Sequence, residues 1–186
     1  MNKKISSKSI TKSNLASAYW TLYKENGVQK VTVKDITSLA GYNRSTFYEY
    51  FKDVQDVQEY IENSILDYVR QEILPKDLDF FNTEEVINRL TVLFETKGEY
   101  LSVLLSGNPL FIKRFKNLMK DIMFQSYSID KKNPYAPYIF EYIISATIGT
   151  LNYWFQADDE LSLREIIKFI RTLNTGDPQK ELLKPY

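Results

Sequence analysis

The residues best suited to recognition chemistry form one short run, Tyr42-Asn-Arg-Ser-Thr46. The guanidinium of Arg44 can donate two hydrogen bonds to O6 and N7 of guanine. Asn43, Ser45 and Thr46 add small donors and acceptors, and the threonine can also offer a methyl group to thymine. This set of side chains predicts contacts with base edges in the major groove of DNA.

Two short helices joined by a tight corner must hold this run in place. Thr32 predicts the start of the first helix, because its hydroxyl can cap the helix and Asp35 completes the reciprocal pattern. Gly41 is expected to end that helix in a left-handed conformation that suits glycine. The predicted inner face repeats at the helical period and comprises Val33, Ile36, Leu39 and Ala40.

The second helix is expected to begin after Asn43 as its N-cap and to turn Phe47 and Phe51 inward. The residues left on its outer side are Tyr42, Arg44, Ser45, Thr46, Tyr48 and Tyr50. A short helix that buries two rings and exposes such groups is typical of a DNA recognition helix. Core packing is the alternative role for Tyr48 and Tyr50.

The run from Ile36 to Phe51, I-T-S-L-A-G-Y-N-R-S-T-F-Y-E-Y-F, resembles the helix-turn-helix signature of TetR-family transcriptional regulators. Both the Ala-Gly turn and the Thr-Phe-Tyr-x-Tyr-Phe ending are present, and the resemblance covers residues 8–57. Tyr42 replaces a small apolar residue common in the family, so its ring is expected against a sugar or a thymine methyl group. The resemblance implies a DNA-binding head, a regulatory body and a homodimer.

The resemblance also implies which residues hold DNA phosphates. The corresponding family positions are Thr32, Tyr48, Tyr50 and Lys52, and Lys34 is expected to add positive charge beside them. The N-terminus of a helix favours anions, which suits Thr32. Gln55 stands where the family often has a lysine, so this chain is expected to neutralise one phosphate fewer and to bind DNA less tightly, with compensation by Lys52 as the alternative.

The charge distribution agrees with a DNA-binding head. The chain of 186 residues has no net charge, yet residues 1–52 hold nine basic and three acidic side chains, a net charge of +6, and the rest carries −6. A locally basic segment attracts phosphates even when the whole chain is neutral. Ordinary variation of surface charge is the alternative explanation.

Residue types that are absent narrow the function classes. The sequence contains no cysteine and no histidine, which removes disulfides, thiolate ligands and the commonest general base and metal ligand. We therefore expect no enzyme, no metal site and no cofactor. The sequence also has no apolar run long enough to span a membrane and no signal-peptide core at its start, so a cytoplasmic protein without membrane contact is expected.

The apolar periodicity predicts an all-α fold of about nine helices. Their expected ranges are 9–26, 32–40, 43–51, 53–74, 82–97, 100–107, 111–127, 135–157 and 162–173. Residues 1–8 are expected to be a frayed terminus, with an arm that reaches DNA as the alternative. We assign 1–52 to the DNA-binding domain, on which the start of helix 53–74 packs, and 53–186 to a helical regulatory and dimerisation domain.

The regulatory domain offers two predicted interaction sites. Helices 135–157 and 162–173 are the expected homodimer contact, with the buried centre of a monomer as the alternative for the first of them. Plain core packing is the favoured role of nine aromatic and methionine residues in this domain, and a pocket for an apolar or aromatic small-molecule effector is the alternative. Those residues are Phe94, Tyr100, Phe111, Phe115, Met119, Met123, Tyr127, Phe140 and Trp154.

Three functions follow, in decreasing agreement with the sequence. The first is a ligand-responsive homodimeric repressor of a palindromic operator in double-stranded DNA. The second is a DNA-bound adaptor or co-activator whose body binds a protein partner. The third is an enzyme, for which the sequence offers no catalytic constellation.

Overall fold

A computed structural model describes residues 7–26, 31–73, 83–126, 130, 132–157 and 160–175. All regular secondary structure in these ranges is helical, which confirms the predicted fold class. The eight α-helices found there are α1 Ser7–Asn26, α2 Val33–Ala40, α3 Arg44–Tyr50, α4 Val54–Tyr68, α5 Thr83–Gly107, α6 Pro109–Ser126, α7 Ala136–Gln156 and α8 Leu163–Thr175. A π-helical segment, Val69–Ile73, continues α4. No helix in the described ranges is both long enough and apolar enough to cross a membrane.

The chain divides into two compact units, residues 1–65 and 66–186. The first unit holds α1, α2, α3 and most of α4, and the second holds the remaining helices. The division falls within α4, so one helix contributes residues to both units. The functional boundary at residue 52 remains a prediction. Leu74, the predicted end of helix 53–74, lies outside the described residues, as does Tyr127.

Aromatic and aliphatic side chains from four helices form the core of the first unit. Leu15 and Tyr19 of α1, Ile36 of α2, Phe47 of α3 and Val57 of α4 are all almost fully buried. Burial of whole aromatic and branched side chains supplies most of the stability of so small a unit. Because the rings of α3 enter this core, its opposite face is left to solvent.

One predicted core residue of α2 is exposed. Leu39 is 53% exposed, whereas Thr37 is buried in its place. The Thr37 hydroxyl donates to the backbone oxygen of Val33 at 2.9 Å, so the polar side chain is satisfied inside the unit. Helix α2 packs on α1. Its buried side contains Ile36 and Thr37, and Leu39 lies on the side that faces solvent.

Helix α5 is continuous, although the sequence predicted an interruption at Gly98. Gly98 is buried, and a Cβ atom there would lie 3.2 Å from both Cε1 and Cζ of Phe155. The glycine therefore admits an aromatic ring of α7 rather than ending the helix. Two predicted helices merge for this reason, which explains the difference between nine and eight.

Helix α5 is the centre of the second unit, because it packs against α6, α7, α8 and the π-helical segment. Side chains cap the starts of α6 and α8, and α6 begins at Pro109, two residues before the predicted start at 111. Asn108 accepts a hydrogen bond from the Phe111 N–H at 2.9 Å at the start of α6, and Ser162 forms a reciprocal capping box with Glu165 at the start of α8.

Candidate nucleic-acid interface and body cavity

The corner between α2 and α3 is fixed by local hydrogen bonds. Gly41 adopts the left-handed conformation with φ 73°, which ends α2 as the sequence predicted. Asn43 caps α3, because its Oδ1 accepts from the Thr46 N–H at 2.8 Å and from the Ser45 hydroxyl at 2.7 Å. These bonds hold the first turn of α3 in a defined orientation on the unit surface.

The predicted base-reading residues lie together at this corner, but they differ in their availability. The Arg44 side chain is exposed and makes no hydrogen bond or ion pair with any other residue that the structure describes. Asn43 and Ser45 are exposed, yet both take part in the cap. Thr46 and Tyr42 are half-buried. Arg44 is therefore the group best able to approach a base edge.

The hydroxyl of Tyr42 is held by a residue that sequence reasoning missed. Asn14 of α1 donates from its Nδ2 to the Tyr42 hydroxyl oxygen at 3.1 Å. This bond leaves the hydroxyl hydrogen of Tyr42 available to donate elsewhere. The two residues are 28 positions apart, so no local pattern in the sequence could indicate the pair.

The predicted phosphate-binding residues differ in their exposure. Lys34 and Lys52 are exposed, Tyr48 is 59% exposed, and Tyr50 is half-buried. Thr32 differs from these, because its hydroxyl donates to Asp35 Oδ2 at 2.6 Å and its N–H donates to the same oxygen at 3.1 Å. The capping box thus uses both donors of Thr32.

The electrostatics of the capping box involve Asp35. Hydrogen bonds from the Thr32 side chain, and then from its backbone N–H, hold the pKa of the Asp35 carboxyl below its usual value. The carboxylate is therefore stabilised in its charged form at the N-terminus of α2, where the helix dipole also favours negative charge. A DNA phosphate at this helix end would have to share the site with Asp35.

Helix α1 braces α3 and α4 through a lysine whose role the sequence did not indicate. The Nζ atom of Lys12 lies 4.4 Å from the ring centroid of Tyr60 and 5.0 Å from that of Phe51. Such cation–π contacts are attractive at these distances. Lys12 therefore stabilises the packing of the first unit and also contributes to its positive charge.

A second missed feature is a polar link between α1 and α4. The Tyr19 hydroxyl donates to Gln58 Oε1 at 3.1 Å, and the Gln58 amide donates to Glu62 Oε1 at 2.8 Å. Burial, and then the neighbouring Tyr23 and Glu62, raise the pKa of Tyr19 well above its usual value. The phenol thus stays protonated and keeps its donor role at all ordinary pH values.

The second unit contains a cavity of about 110 Å³ between α5, α6, α7 and α8. Four of the predicted pocket residues, Phe94, Phe115, Met119 and Met123, line it. The structure places the other four described candidates outside the lining, and these are Tyr100, Phe111, Phe140 and Trp154. The indole N–H of Trp154, for example, donates to the Leu161 backbone oxygen at 2.8 Å.

Comparison with known proteins identifies the family. The family model described as bacterial regulatory proteins of the tetR family matches residues 17–58, which contain the corner and α3. A TetR-class model described as the transcriptional regulator C-terminal region matches residues 81–176, more than half of the chain. The chain belongs to the TetR family of transcriptional regulators.

Solved structures of TetR regulators share the fold. A TetR transcriptional regulator from Streptococcus agalactiae 2603V is 23% identical, with a TM-score of 0.70 over 90% of this chain and 94% of that one. The fatty acid degradation regulator FadR from Bacillus halodurans is 16% identical, with a TM-score of 0.67 over 95% and 99%. At these identities the likeness shows the fold alone.

A curated relative is the dhaKLM operon transcriptional activator DhaS from Lactococcus lactis subsp. lactis strain IL1403. It is 25% identical over 131 residues, which is 68% of this chain and 66% of the relative, just under two thirds of its length.

Membership of the TetR family gives the first unit its role. TetR-family regulators are DNA-binding regulators rather than enzymes, and the N-terminal domain carries the DNA-binding function. Among the described residues, no group of three or more His, Cys, Asp or Glu side chains could hold a metal ion. The exposed corner before α3 lies within the residues that match the N-terminal family model.

Proposed function

We propose that this TetR-family chain is a ligand-responsive homodimer that represses transcription by binding a palindromic operator. The observation that carries this proposal is the exposed Arg44 in the first turn of a capped and anchored α3. Residues near the N-terminus of a recognition helix are the ones that contact base edges in helix-turn-helix proteins.

Arg44 would provide the principal base contact. Its guanidinium can pair with O6 and N7 of one guanine, while Tyr42 and Thr46 would contact neighbouring bases or sugars. Asn43 and Ser45 are engaged in the cap, so they would add contacts only through their remaining donor and acceptor positions.

The surrounding donors would anchor the DNA backbone. Lys34 and Lys52 are exposed cations, and the Tyr48 hydroxyl reaches solvent on the same helix as Arg44. Tyr50 would contribute from its half-buried position. Thr32 would act mainly by starting α2, because its hydroxyl is engaged with Asp35. Phosphate contacts of this kind set the register of the protein on DNA but do not read sequence.

Helices α7 and α8 would form the homodimer contact. One stripe of α7 is exposed and contains Tyr138, Tyr142, Ala146, Gly149 and Tyr153. These positions fall within about 80° of one another on a helix of 3.6 residues per turn. Exposed rings on either side of two small residues suit close packing of a second copy, and Phe169 adds an exposed ring on α8. The α3 helices of the two protomers, about 34–36 Å apart, would then fit successive major grooves.

The cavity would be the effector site, and α5 connects it to the end of α4. Val86 and Leu90 of α5 line the cavity, and between them Arg89 donates from Nη1 to the Glu72 backbone oxygen at 2.8 Å. Glu72 belongs to the π-helical continuation of α4. A ligand that shifted α5 would therefore tilt the helix predicted over 53–74. This tilt would change the spacing between the α3 helices of the two protomers.

The test of base reading is to select the operator from random DNA and then to compare variants at two salt concentrations. Arg44→Ala should weaken specific binding about 5- to 150-fold and relax preference at one position of each half-site. Lys52→Ala should weaken binding to all sequences and lower the salt slope by about one unit. Glu49→Ala, an exposed change on the same helix, is the matched control. If Arg44→Ala leaves specific binding unchanged, the assignment of α3 is wrong.

The test of the dimer is the mass of the protein in solution. Gly149→Arg on the exposed stripe should yield monomers that bind a half-site weakly. Leu110→Arg, which changes an exposed apolar residue of α6 outside that stripe, should leave the mass unchanged. A dimer that survives Gly149→Arg would refute the proposed contact.

Activation is the second candidate outcome, and the name of one relative favours it. The Lactococcus lactis relative is called a transcriptional activator of an operon. In this case the first unit would still bind DNA, and the second unit would contact a protein partner. The chain would then act as an adaptor or co-activator. Transcription from the selected operator, with purified polymerase and increasing amounts of the protein, separates the two: a repressor lowers transcript yield and an activator raises it.

A further inference from the structure

We propose that Asn14 of α1 and Tyr42 form one phosphate-binding site, in which two uncharged donors hold a single phosphate of the DNA backbone. This inference rests on the proposed DNA-binding function. It adds a residue of α1 to the DNA contact, and Asn14 lies outside the family signature at residues 36–51.

Tyr42 is held at both of its ends. Its backbone N–H donates to the Thr37 backbone oxygen at 3.0 Å, and its hydroxyl oxygen accepts from Asn14 Nδ2 at 3.1 Å. The ring is half-buried between these two bonds, whereas Asn14 is exposed. A side chain that is already fixed in this way loses little further conformational freedom when it binds a ligand.

The bond between the two side chains leaves one hydrogen on each of them for a ligand. A side-chain amide has two N–H donors, and Asn14 uses one of them on Tyr42. The phenol accepts in this bond, so it keeps its own hydrogen. Within the part of the chain that the structure describes, neither side chain makes a further hydrogen bond. Two donor atoms 3.1 Å apart are therefore available to one acceptor group.

The charges in the neighbouring sequence favour an anionic acceptor. Residues 7–24 of α1 contain three lysines and no acidic residue, and residues 36–48 contain Arg44 and no acidic residue. No carboxylate in either stretch competes for the two donors. Hydrogen bonds to an anionic oxygen are about twice as strong as those between neutral groups, so the pair would bind a phosphate oxygen better than a neutral acceptor.

The position of the pair favours a phosphate over a base edge. The major groove of B-DNA is about 12 Å wide, and a helix with its side chains is about 10–12 Å in diameter. Once α3 occupies the groove, α1 cannot enter it as well. A donor on α1 therefore meets the rim of the groove, which the phosphates form. Tyr42 also precedes the N-cap of α3, whereas Arg44 lies in its first turn.

The first experiment measures binding of the full chain to its selected operator and to an unrelated duplex at several salt concentrations. Tyr42→Phe should weaken binding to both about tenfold or more, because it removes a hydrogen bond to a charged group. The salt slope should stay unchanged, since no charge is lost. Tyr60→Phe, which removes the hydroxyl of another half-buried tyrosine in the same unit, is the matched control and should change nothing. Unchanged binding in Tyr42→Phe would overturn the proposal.

A double-mutant cycle tests whether the two donors share one phosphate. Asn14→Ala should also weaken binding to both duplexes without changing the salt slope. The loss in the double variant should be smaller than the product of the two single losses, because each change disturbs the same contact. Losses that multiply would overturn the shared site.

Modified DNA identifies the acceptor. Operators that carry a neutral methylphosphonate at one position at a time should reveal a phosphate in each half-site whose replacement weakens the parent chain but costs Tyr42→Phe clearly less. If every replacement costs both chains equally, the phosphate assignment is wrong. A changed base preference of Tyr42→Phe in operator selection would likewise overturn it in favour of a base contact.

Failure of this inference can be distinguished from failure of the proposed function. If Tyr42→Phe has no effect while Arg44→Ala weakens operator binding, the phosphate site is wrong and the sequence-specific function stands. If Tyr42→Phe weakens binding to every duplex but no operator can be selected, the phosphate site stands and the proposed function is wrong.

Discussion

The contact between Gly98 and Phe155 makes a specific prediction about α5. Gly98 lies in the interior of a helix of 25 residues, where alanine ordinarily stabilises by about 1 kcal/mol relative to glycine. A Cβ atom at this position would, however, lie 3.2 Å from two carbon atoms of the Phe155 ring. The gain in helix propensity and the steric cost therefore oppose each other in Gly98→Ala.

The geometry allows both effects to be compared. Carbon atoms prefer separations of about 3.5–4.0 Å, so the ring would have to withdraw by about 0.3–0.8 Å. The ring centroid of Phe155 is 5.1 Å from that of Trp154 and 5.9 Å from that of Phe94, so its movement disturbs two further rings. Overpacking of this kind costs about 1–3 kcal/mol. We expect Gly98→Ala to be neutral to destabilising by up to about 2 kcal/mol.

A double-mutant cycle measured by urea unfolding isolates the steric cost. In the Phe155→Ala background the close neighbour is gone, so Gly98→Ala should stabilise by about 1 kcal/mol. If Gly98→Ala stabilises equally with and without the Phe155 ring, the contact does not explain the glycine.

Three further predictions concern the DNA-binding unit. Phe47→Ala should reduce the free energy of unfolding in urea by about 3–5 kcal/mol, because the ring is fully buried. Tyr48→Ala removes an exposed ring, so it should reduce that free energy by less than about 0.5 kcal/mol and yet weaken DNA binding. The pKa of the Asp35 carboxyl is lowered in the folded chain, so its contribution to stability is present above the ordinary aspartate pKa and is lost as pH falls through the lower folded value. The difference in free energy of unfolding between the parent chain and Asp35→Asn should therefore shrink on acidification. A constant difference from pH 7 to pH 2 would contradict this. Gln55→Lys should steepen the salt dependence of DNA binding by about one unit, since the exposed Gln55 amide at present only donates to Glu59 at 2.9 Å; an unchanged slope would show that no phosphate lies near this position.

The helix starts were predictable because their determinants are local. The capping pairs Thr32 with Asp35 and Ser162 with Glu165 are three residues apart, and both form the expected reciprocal hydrogen bonds. Gly41 likewise ends α2 through a backbone conformation that depends on the residue itself. The all-α fold follows from the same short-range patterns, because the helical period repeats within a few residues.

The tertiary structure alone decided which of several apolar residues are buried and which rings converge. Periodicity placed Leu39 on the apolar side of α2, but the packing of α1 selected Thr37 instead. The sequence predicted a helix break at Gly98, because nothing nearby in the sequence indicates the ring that the glycine accommodates. That ring belongs to Phe155, 57 positions away.

The candidate sites depend on the same distant contacts. Asn174 donates to Thr147 in the cavity lining, and Asn14 donates to Tyr42 at the corner before α3. Residue types and spacing by themselves determined the helices, their caps and the family signature at residues 36–51. The cavity and the availability of Arg44 arise only when helices far apart in the chain pack together, because burial is a property of the surroundings rather than of the residue.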